Sequence, residues 1–162
     1  MYLLDANTYI QAKNLHYQMT FCPAYWDWLD AQFESGQLAS IISVYDELNE
    51  QNDELTKWVK KRKAHFLPTS SEQIQEQFGN VVQHVFELEG KKVEHVADFL
   101  DKADPWLVAT ASVSGATVVT HEVPVPENSS RVKIPNVCAA FEVPYVTTYQ
   151  LLNTLKAQFV LG

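Results

Sequence analysis

Apolar and polar residues alternate along the chain with two different periods, and the change from one period to the other predicts short strands and amphipathic helices. MYLLD, at the start, is typical of a short buried strand, and ANTYIQAKNLH has the pattern of a helix. In CPAYWDWLDAQFESG the aromatic residues recur at helical spacing, which predicts a second helix with this stripe in the core. QLASIIS predicts a second strand. One long helix from Ser43 to Lys63 is expected to follow.

The middle of the chain contains clear signals for a break and a restart. Pro68 must end the long helix, because proline removes a backbone donor and blocks the preceding turn. Thr69 and Glu72 have the spacing of a capping box, which predicts a new helix that runs to about Glu89. A further acidic segment, VEHVADFLDKA, leads from there to the next element.

The last third of the chain predicts a buried helix and strand. DPWLVATASVS is a nearly apolar helix that Gly115 should stop, and the β-branched run after it should end between Thr120 and Glu122. The remaining predicted elements are a loop VPVPENSSR, a short helix PNVCAAFE, a short strand VPYV and a terminal helix TTYQLLNTLKAQF capped by Thr147 or Thr148.

The alternation of strands and helices predicts the fold class. Strands separated by helices at this spacing favour an α/β sandwich around a mainly parallel sheet. Since the sequence shows no internal repeat and no long linker, residues 1–162 are expected to form a single domain. Sites in such sheets form outside the carboxyl ends of the strands. Functional residues should therefore lie just after the predicted strands.

Four acidic residues occupy positions that this rule selects. Asp5 follows the first strand, Glu47 lies in the predicted first turn of the helix after the second strand, and Glu122 ends the third. Asp104 opens the buried helix that precedes that third strand. Carboxylates brought together repel one another at pH 7 unless a cation lies between them, and oxygen ligands select hard ions such as Mg²⁺ or Mn²⁺. Such an ion can activate water for phosphodiester hydrolysis without a serine or cysteine nucleophile.

Each acid also has a purely structural alternative. Asp104 before Pro105, and Asp5 between a strand and a helix, are typical of helix N-caps. Glu47 could oppose the helix dipole, and Glu122 could be a solvated loop residue. A cap can also be catalytic, so these alternatives stay open.

Composition narrows the classes of protein. The net charge of −8, from 20 acidic residues against 12 Lys and Arg, argues against a protein that binds nucleic acid by phosphate neutralisation alone. A metal-dependent nuclease is compatible, because the ion brings positive charge to the phosphate. The histidines and two cysteines lack zinc spacing, and no phosphate-loop motif is present. Without a signal-peptide pattern or a bilayer-length apolar run, we expect a cytoplasmic protein that does not enter the membrane.

Three segments taken together resemble the motifs of PIN-domain nucleases. LLDANTYI resembles the opening motif, in which a strand ends in Asp with a small polar residue two positions later. SIISVYDEL resembles the second, and ADPWLVATASVSGATVVTHE the third and fourth. More narrowly, YLLDANTYI, CPAYWDWL, ADPWLVATA and VVTHE resemble a PIN branch related to VapC toxins. The match extends over nearly the whole chain in the right order, and it is specific as a set.

The resemblance implies a three-layer α/β/α PIN-like sandwich and a ribonuclease that depends on Mg²⁺ or Mn²⁺. It assigns metal ligation to Asp5, Glu47 and Asp104, and supporting polar roles to Asn7 and Thr120. Glu122 stands where the family usually has Asp, so both direct and water-mediated ligation stay open. The implied partners are an RNA substrate, a cognate antitoxin protein and a second copy of the chain.

One concentration of basic residues could receive RNA. Lys60, Lys61, Arg62 and Lys63 end the predicted long helix and could form a rim for the RNA backbone. A lysine-rich helix end is also typical of a solvated terminus. The alternative function is a catalytically silent PIN scaffold that binds another protein. A doubly wound phosphatase is disfavoured, because DANTY lacks the second Asp of a DxD pattern.

Overall fold

The computed structural model describes residues 1–161. Its strands are β1 (Tyr2–Leu4), β2 (Leu38–Ile41), β3 (Phe66–Leu67), β4 (Thr117–Val119) and β5 (Tyr145–Val146). Its helices are α1 (Ala6–Asn14), α2 (Pro23–Glu34), α3 (Ile42–Asn49), α4 (Glu54–Lys60), α5 (Glu72–Glu87), α6 (Val93–Leu100), α7 (Asp104–Ser114), α8 (Ile134–Ala140) and α9 (Thr148–Thr154), with a 3-10 turn at Lys63–His65. The strands form one parallel sheet in the order β3-β2-β1-β4-β5. The predicted α/β fold with a parallel central sheet is confirmed.

The three central strands are buried on both faces of the sheet. Leu3 and Leu4 of β1 point to opposite faces, and neither is more than 1% exposed. Val118 and Val119 of β4 are fully buried, and all four residues of β2 are buried. Nearly continuous apolar strands are typical of parallel sheets covered by helices on both sides. The sheet is therefore the middle layer of one continuous apolar core.

The sequence predicts α7 as a buried helix, and six of its residues are buried in the structure. Gly115 ends it in the left-handed conformation, with φ +73°, which glycine adopts without a side-chain clash. α5 packs along α7, where Phe78 stacks on Trp106 with ring centroids 3.7 Å apart. Nearby, Gln77 donates a hydrogen bond to the Ser112 hydroxyl at 2.9 Å.

The predicted long helix from Ser43 to Lys63 is wrong, because it is two helices. Asn52 has φ +50°, and Asp53 then starts α4 with a capping box in which its side chain accepts from the Thr56 N–H at 3.0 Å. Lys13 of α1 pairs with the same Asp53 at 2.7 Å. After α4 the chain forms the edge strand β3, which the apolar pattern did not predict.

Several predicted boundaries also shift. The cap of α5 is Ser71, whose hydroxyl accepts from the Ile74 N–H at 3.2 Å, so the prediction of Thr69 was wrong. α3 begins at Ile42, one residue earlier than predicted, and Glu47 lies in its second turn, so the predicted first-turn position was wrong. Asp104 is the first residue of α7 rather than its cap, because Ala103 holds the cap position. Thr147 caps α9, as expected.

Within residues 1–161, no helix combines the length and the apolar character that crossing a bilayer would need.

Candidate active site

The candidate site lies where the chain reverses its direction of travel across the sheet. From β1 the chain moves outward to β2 and β3, then returns to the other side of β1 to form β4. Open α/β sheets commonly bind ligands outside the carboxyl ends of the strands at such a reversal. Asp5 follows β1 directly and Thr120 follows β4 directly, so these two residues flank the reversal.

Asp5 is buried at the centre of this edge. Its side chain is 3% exposed, and its backbone N–H donates to the Val119 carbonyl at 3.0 Å, which continues the pairing of β1 with β4. The Thr120 hydroxyl donates to Asp5 Oδ2 at 3.1 Å and accepts from the Glu122 N–H at 3.1 Å. Although Asp5 is the N-cap residue of α1, its carboxylate makes no capping hydrogen bond. Helix capping, the structural alternative for Asp5, therefore does not explain why a carboxylate is buried at this position.

The electrostatic environment of Asp5 disfavours its charged form. Burial is the largest cause, and together with the negative charges of Glu122 and Glu47 it raises the pKa of Asp5 to about 7. The Thr120 hydroxyl and the nearby backbone of Asn7 offset part of this rise. A carboxyl group that titrates near neutrality can exchange a proton for a cation under cellular conditions.

Asp104 reaches the same edge from the start of α7. Helices that connect parallel strands run antiparallel to them, so the first residue of α7 lies beside the carboxyl ends of the strands. Burial raises the pKa of Asp104 well above its usual range, and the charges of Asp5, Glu122 and Glu47 add to the rise. Lys102 opposes it. The Asp104 side chain therefore lies in the field of the other three acids.

Glu47 approaches from the second turn of α3. Its Oε1 accepts a hydrogen bond from the Ala103 N–H at 2.6 Å, which connects α3 to the cap position of α7. Burial raises the pKa of Glu47, whereas the Ala103 N–H and the charge of Lys102 lower it. The contact places Glu47 directly beside the residue that precedes Asp104.

Glu122 is held at the start of α8. Its Oε2 accepts from the Ile134 N–H at 2.7 Å, and its Oε1 lies 4.0 Å from the Lys133 ammonium. The prediction that β4 ends between Thr120 and Glu122 was wrong, because the strand ends at Val119. Glu122 instead belongs to a loop that two fixed contacts orient, so it is not a freely solvated residue.

The structure brings these four acids into one electrostatic environment without arranging them as a set of metal ligands. Across residues 1–161, no three side chains of His, Cys, Asp or Glu are grouped so that they could hold a metal ion. Two of the acids, Glu47 and Glu122, already use a carboxylate oxygen to accept from backbone N–H groups. Metal ligation by Asp5, Glu47, Asp104 and Glu122 therefore stays a prediction.

The two supporting residues differ in what they contact. Thr120 is 1% exposed and bridges Asp5 and Glu122 through its hydroxyl. Asn7 is exposed, and it acts on Asp5 through its backbone. The Nε2 atom of His121 lies 3.0 Å from the Thr148 hydroxyl.

A small cavity of about 190 Å³ opens beside two of the acids. It is lined by Asp104 and Glu122 together with His95, Asp98, Phe99, Lys102, Arg131, Val132 and Lys133. Lys102, Arg131 and Lys133 were not among the site residues predicted from the sequence. Their proximity to Asp104 and Glu122 in the sequence was the available signal, since Lys102 lies two residues before Asp104 and the loop after Glu122 ends at Lys133.

The basic rim that the sequence analysis selected is only partly free. Arg62 donates to both carboxylate oxygens of Asp30, at 2.6 and 2.8 Å, and its guanidinium lies 4.1 Å from the ring centroid of Trp58. Lys60, Lys61 and Lys63 are exposed. RNA binding at this helix end stays a prediction.

A comparison with known protein families identifies the family to which the chain belongs. A family model described as "Domain of unknown function (DUF4411)" matches residues 2–159. The chain belongs to the DUF4411 family. The matched residues of this DUF4411 chain include β1 through α9 and all four acids of the candidate site. No curated protein matches its sequence.

Among solved structures, the crystal structure of FitAcB from Neisseria gonorrhoeae is similar to the DUF4411 chain. The two share 19% sequence identity with a TM-score of 0.50, over 90% of this chain and 96% of that chain. At this identity the likeness concerns the fold, and it supports the predicted PIN-like architecture.

Proposed function

We propose that this DUF4411 chain is a metal-dependent endoribonuclease that hydrolyses RNA phosphodiester bonds. The observation that carries the proposal is the burial of Asp5 in the field of Glu47 and Glu122 at the carboxyl edge of the sheet. Buried carboxylates that raise one another's pKa reduce stability, and residues with strongly shifted pKa values concentrate at functional sites. The PIN-like fold supports the same reading.

The chemistry of the donor set fits Mg²⁺ or Mn²⁺. Asp5, Glu47 and Asp104 would hold the ion, with Glu122 as a direct or water-mediated ligand, because carboxylate oxygens are the preferred donors for hard cations. The bound ion would supply positive charge to the phosphate and lower the pKa of water. To take part, Glu47 and Glu122 would exchange one backbone N–H contact each for the cation.

Thr120 orients Asp5 in this proposal. Because its hydroxyl accepts from the Glu122 N–H, its own proton is committed to Asp5 Oδ2. A hydrogen bond from a neighbouring residue orients the side chain that binds the metal. Loss of such a hydrogen bond typically lowers metal affinity about 10–100-fold.

Thr120→Val should therefore weaken Mn²⁺ binding on the order of 10-fold while the fold is kept, since valine has a similar shape but no hydroxyl. The measurement is the Mn²⁺ dependence of the melting temperature. Thr117→Val, in the same strand region, is the matched control and should leave the affinity unchanged. Equal Mn²⁺ affinity in the Thr120 variant and the wild type would show that the hydroxyl does not orient a ligand.

The sequence resemblance to VapC toxins also supports a toxin role. It rests on YLLDANTYI, CPAYWDWL, ADPWLVATA and VVTHE, and it implies a neighbouring antitoxin protein. We therefore extend the proposal to a ribonuclease toxin whose partners are RNA, a cognate antitoxin protein and, in a homodimer, a second copy of the chain.

The experiment that tests the proposed function combines cleavage with metal binding. Purified protein is incubated with end-labelled RNAs of varied sequence in Mg²⁺, Mn²⁺ or EDTA. Internal cleavage is expected with either metal and not with EDTA. In parallel, Mn²⁺ at about 100 times its Kd should stabilise the protein by about 2.7 kcal/mol. Intact RNA in every metal condition would overturn the proposal.

A specific observation favours a second candidate, the catalytically silent PIN scaffold that binds another protein. Glu47 and Glu122 are already satisfied by backbone N–H groups, as they would be if their roles were structural. This scaffold should gain no stability from Mn²⁺ and cleave no RNA. Metal-dependent stabilisation that Asp5→Asn abolishes would exclude it.

A further inference from the structure

One wall of the cavity beside the acids is basic and is formed by Lys102, Arg131 and Lys133. The proposed metal chemistry assigns no role to this basic wall. Lys102 comes from the turn between α6 and α7, whereas Arg131 and Lys133 come from the loop before α8. Asp104 and Glu122 line the same cavity. Two separated parts of the chain therefore bring three cationic side chains to the border of the candidate site.

The loop that carries two of these cations is fixed by backbone contacts. Lys91 Nζ donates to the Ser129 carbonyl at 2.7 Å, and the Lys92 N–H donates to the Ser130 carbonyl at 3.1 Å. His95 Nδ1 lies 2.8 Å from the same Ser130 oxygen. These contacts attach the loop to the segment that starts α6.

The loop is also fixed nearer its beginning. The Val125 N–H donates to Asn136 Oδ1 at 2.9 Å, and Asn136 Nδ2 donates back to the Val125 carbonyl at 2.7 Å. Because both parts of the loop are held, the basic side chains near its end are positioned before any ligand arrives. Such preorganisation lowers the entropic cost of binding.

Direct salt bridges neutralise little of this wall, although the acids Asp98, Asp104 and Glu122 line the same cavity. Lys133 lies 4.0 Å from Glu122 Oε1, a distance at the outer limit of an ion pair. In the part of the chain that the structure describes, the ion pairs do not include Lys102 or Arg131. These two cations can therefore meet an anionic ligand without first breaking a salt bridge.

We infer that Lys102, Arg131 and Lys133 form a subsite for a backbone phosphate of single-stranded RNA, adjacent to the phosphate that the acids would act on. The inference rests on the proposed function and specifies how the substrate is held. A chain of net charge −8 repels RNA, so productive binding needs a local group of cations near the acids. Arginine and lysine are the side chains that bind phosphate oxygens most strongly.

The recessed position of the cavity favours a flexible strand. Its volume is about 190 Å³, and Asp104 and Glu122 line it together with the three cations. To bind there, an RNA must direct its backbone into the recess. Single-stranded RNA can do so, whereas a rigid A-form duplex is recognised across its wide, shallow groove.

The cavity wall is a better phosphate site than the basic end of α4. There, Asp30 neutralises Arg62 through two hydrogen bonds, so the only arginine of that cluster is already paired. Lys60, Lys61 and Lys63 are exposed. Lys63 lines a different cavity, in which it is the only charged lining residue. The two surfaces can be separated by substitution.

The test measures binding in the absence of metal, where cleavage is not expected. A fluorescein-labelled 12-nucleotide RNA of mixed sequence is titrated in EDTA at several salt concentrations, and its anisotropy is followed. For single strands, log K falls with log salt by about 0.7 per phosphate contact. Arg131→Gln and Lys133→Gln should each reduce this slope by about 0.7 and weaken binding about 5–10-fold at low salt.

Three controls complete the experiment. Lys156→Gln removes an exposed lysine outside the cavity and should bind as the wild type. The triple variant Lys60→Gln, Lys61→Gln, Lys63→Gln should keep the wild-type slope. A duplex of the same sequence should compete at least about 10-fold less well than the single strand. Circular dichroism melting confirms that each variant is folded. Arg131 is exposed, so its substitution should leave the core intact.

The outcomes separate this inference from the proposed function. Three results would each overturn the subsite. The Arg131 and Lys133 variants could keep the wild-type salt slope, the α4 triple variant could lose the slope, or the wild type could fail to bind the RNA. If the wild type cleaves RNA with Mn²⁺ while Arg131→Gln leaves both KM and binding unchanged, the nuclease stands and the subsite falls. If the predicted slope changes occur but no RNA is cleaved, the subsite stands and the nuclease falls.

Discussion

Asp104→Asn is expected to lower kcat for metal-dependent RNA cleavage by at least about 100-fold. Loss of an outer partner of a metal ligand already costs about 10–100-fold, so loss of a ligand should cost more. Asparagine keeps the shape of the side chain but removes the negative charge. At the same time it relieves repulsion with Asp5 and Glu47, so the folded protein should not be destabilised. The measurement is the initial rate of cleavage at saturating Mn²⁺.

Asp101→Asn is the matched control for this variant. Asp101 is an exposed acid three residues earlier, at the C-cap of α6, and it does not line the cavity beside Asp104. Its substitution should leave kcat within about twofold, because it removes the same charge at a distance from the cavity. Equal activity losses in both variants would mean that general charge, and not the position of Asp104, controls the rate.

The metal-free protein should become more stable as the pH falls, and Asp5→Asn should remove much of this dependence. The pKa of Asp5 is raised from 3.8 to about 7 in the folded protein, first by burial and then by Glu122. Between these values the folded state binds more protons than the unfolded state. The free energy of unfolding therefore decreases as the pH rises from about 4 to about 7.

The size of this effect makes it measurable by denaturation. The difference between the folded and unfolded pKa values of Asp5 corresponds to at most about 4 kcal/mol above neutral pH. Asparagine is neutral, so Asp5→Asn should stabilise the protein at pH 7.5 in EDTA and flatten its pH profile. Urea unfolding from pH 4.5 to 8 measures both. Asp46→Asn, at an exposed acid of α3, should leave the profile parallel to the wild type.

An Asp5 variant with the wild-type pH slope would contradict this account of the site. It would mean that burial and the neighbouring acids leave the pKa of Asp5 close to its ordinary value in the folded protein.

The sequence predicted the structure correctly where local sequence signals agreed with the rule that sites form at the carboxyl ends of parallel strands. Asp5 could be placed at the carboxyl edge because MYLLD is a short apolar run with an acid at its end. The buried helix α7 and its stop at Gly115 followed from composition and from the conformational freedom of glycine. Both elements depend mainly on neighbours in the sequence, so a linear pattern contains most of the necessary information.

The sequence was insufficient where distant contacts decide the structure. The break between α3 and α4 uses the pairing of Asp53 with Lys13, which lies 40 residues away. Similarly, Glu47 is oriented by the Ala103 N–H, 56 residues away. The basic wall of the cavity joins residues from both sides of α7 and β4. A linear pattern cannot show which of several lysines will face an acid after folding.

The central position of β1 determines when the acids can meet during synthesis. One edge of β1 pairs with β2, where Tyr2 lies opposite Leu38. The other edge stays unpaired until β4 has been synthesised, where Tyr2 lies opposite Thr117. Until the ribosome has released that second partner, the nascent chain keeps an open strand edge and lacks the Thr120 contact to Asp5. Assembly of the acids is therefore a late event in the life of each new chain, which keeps incomplete chains from acquiring the site.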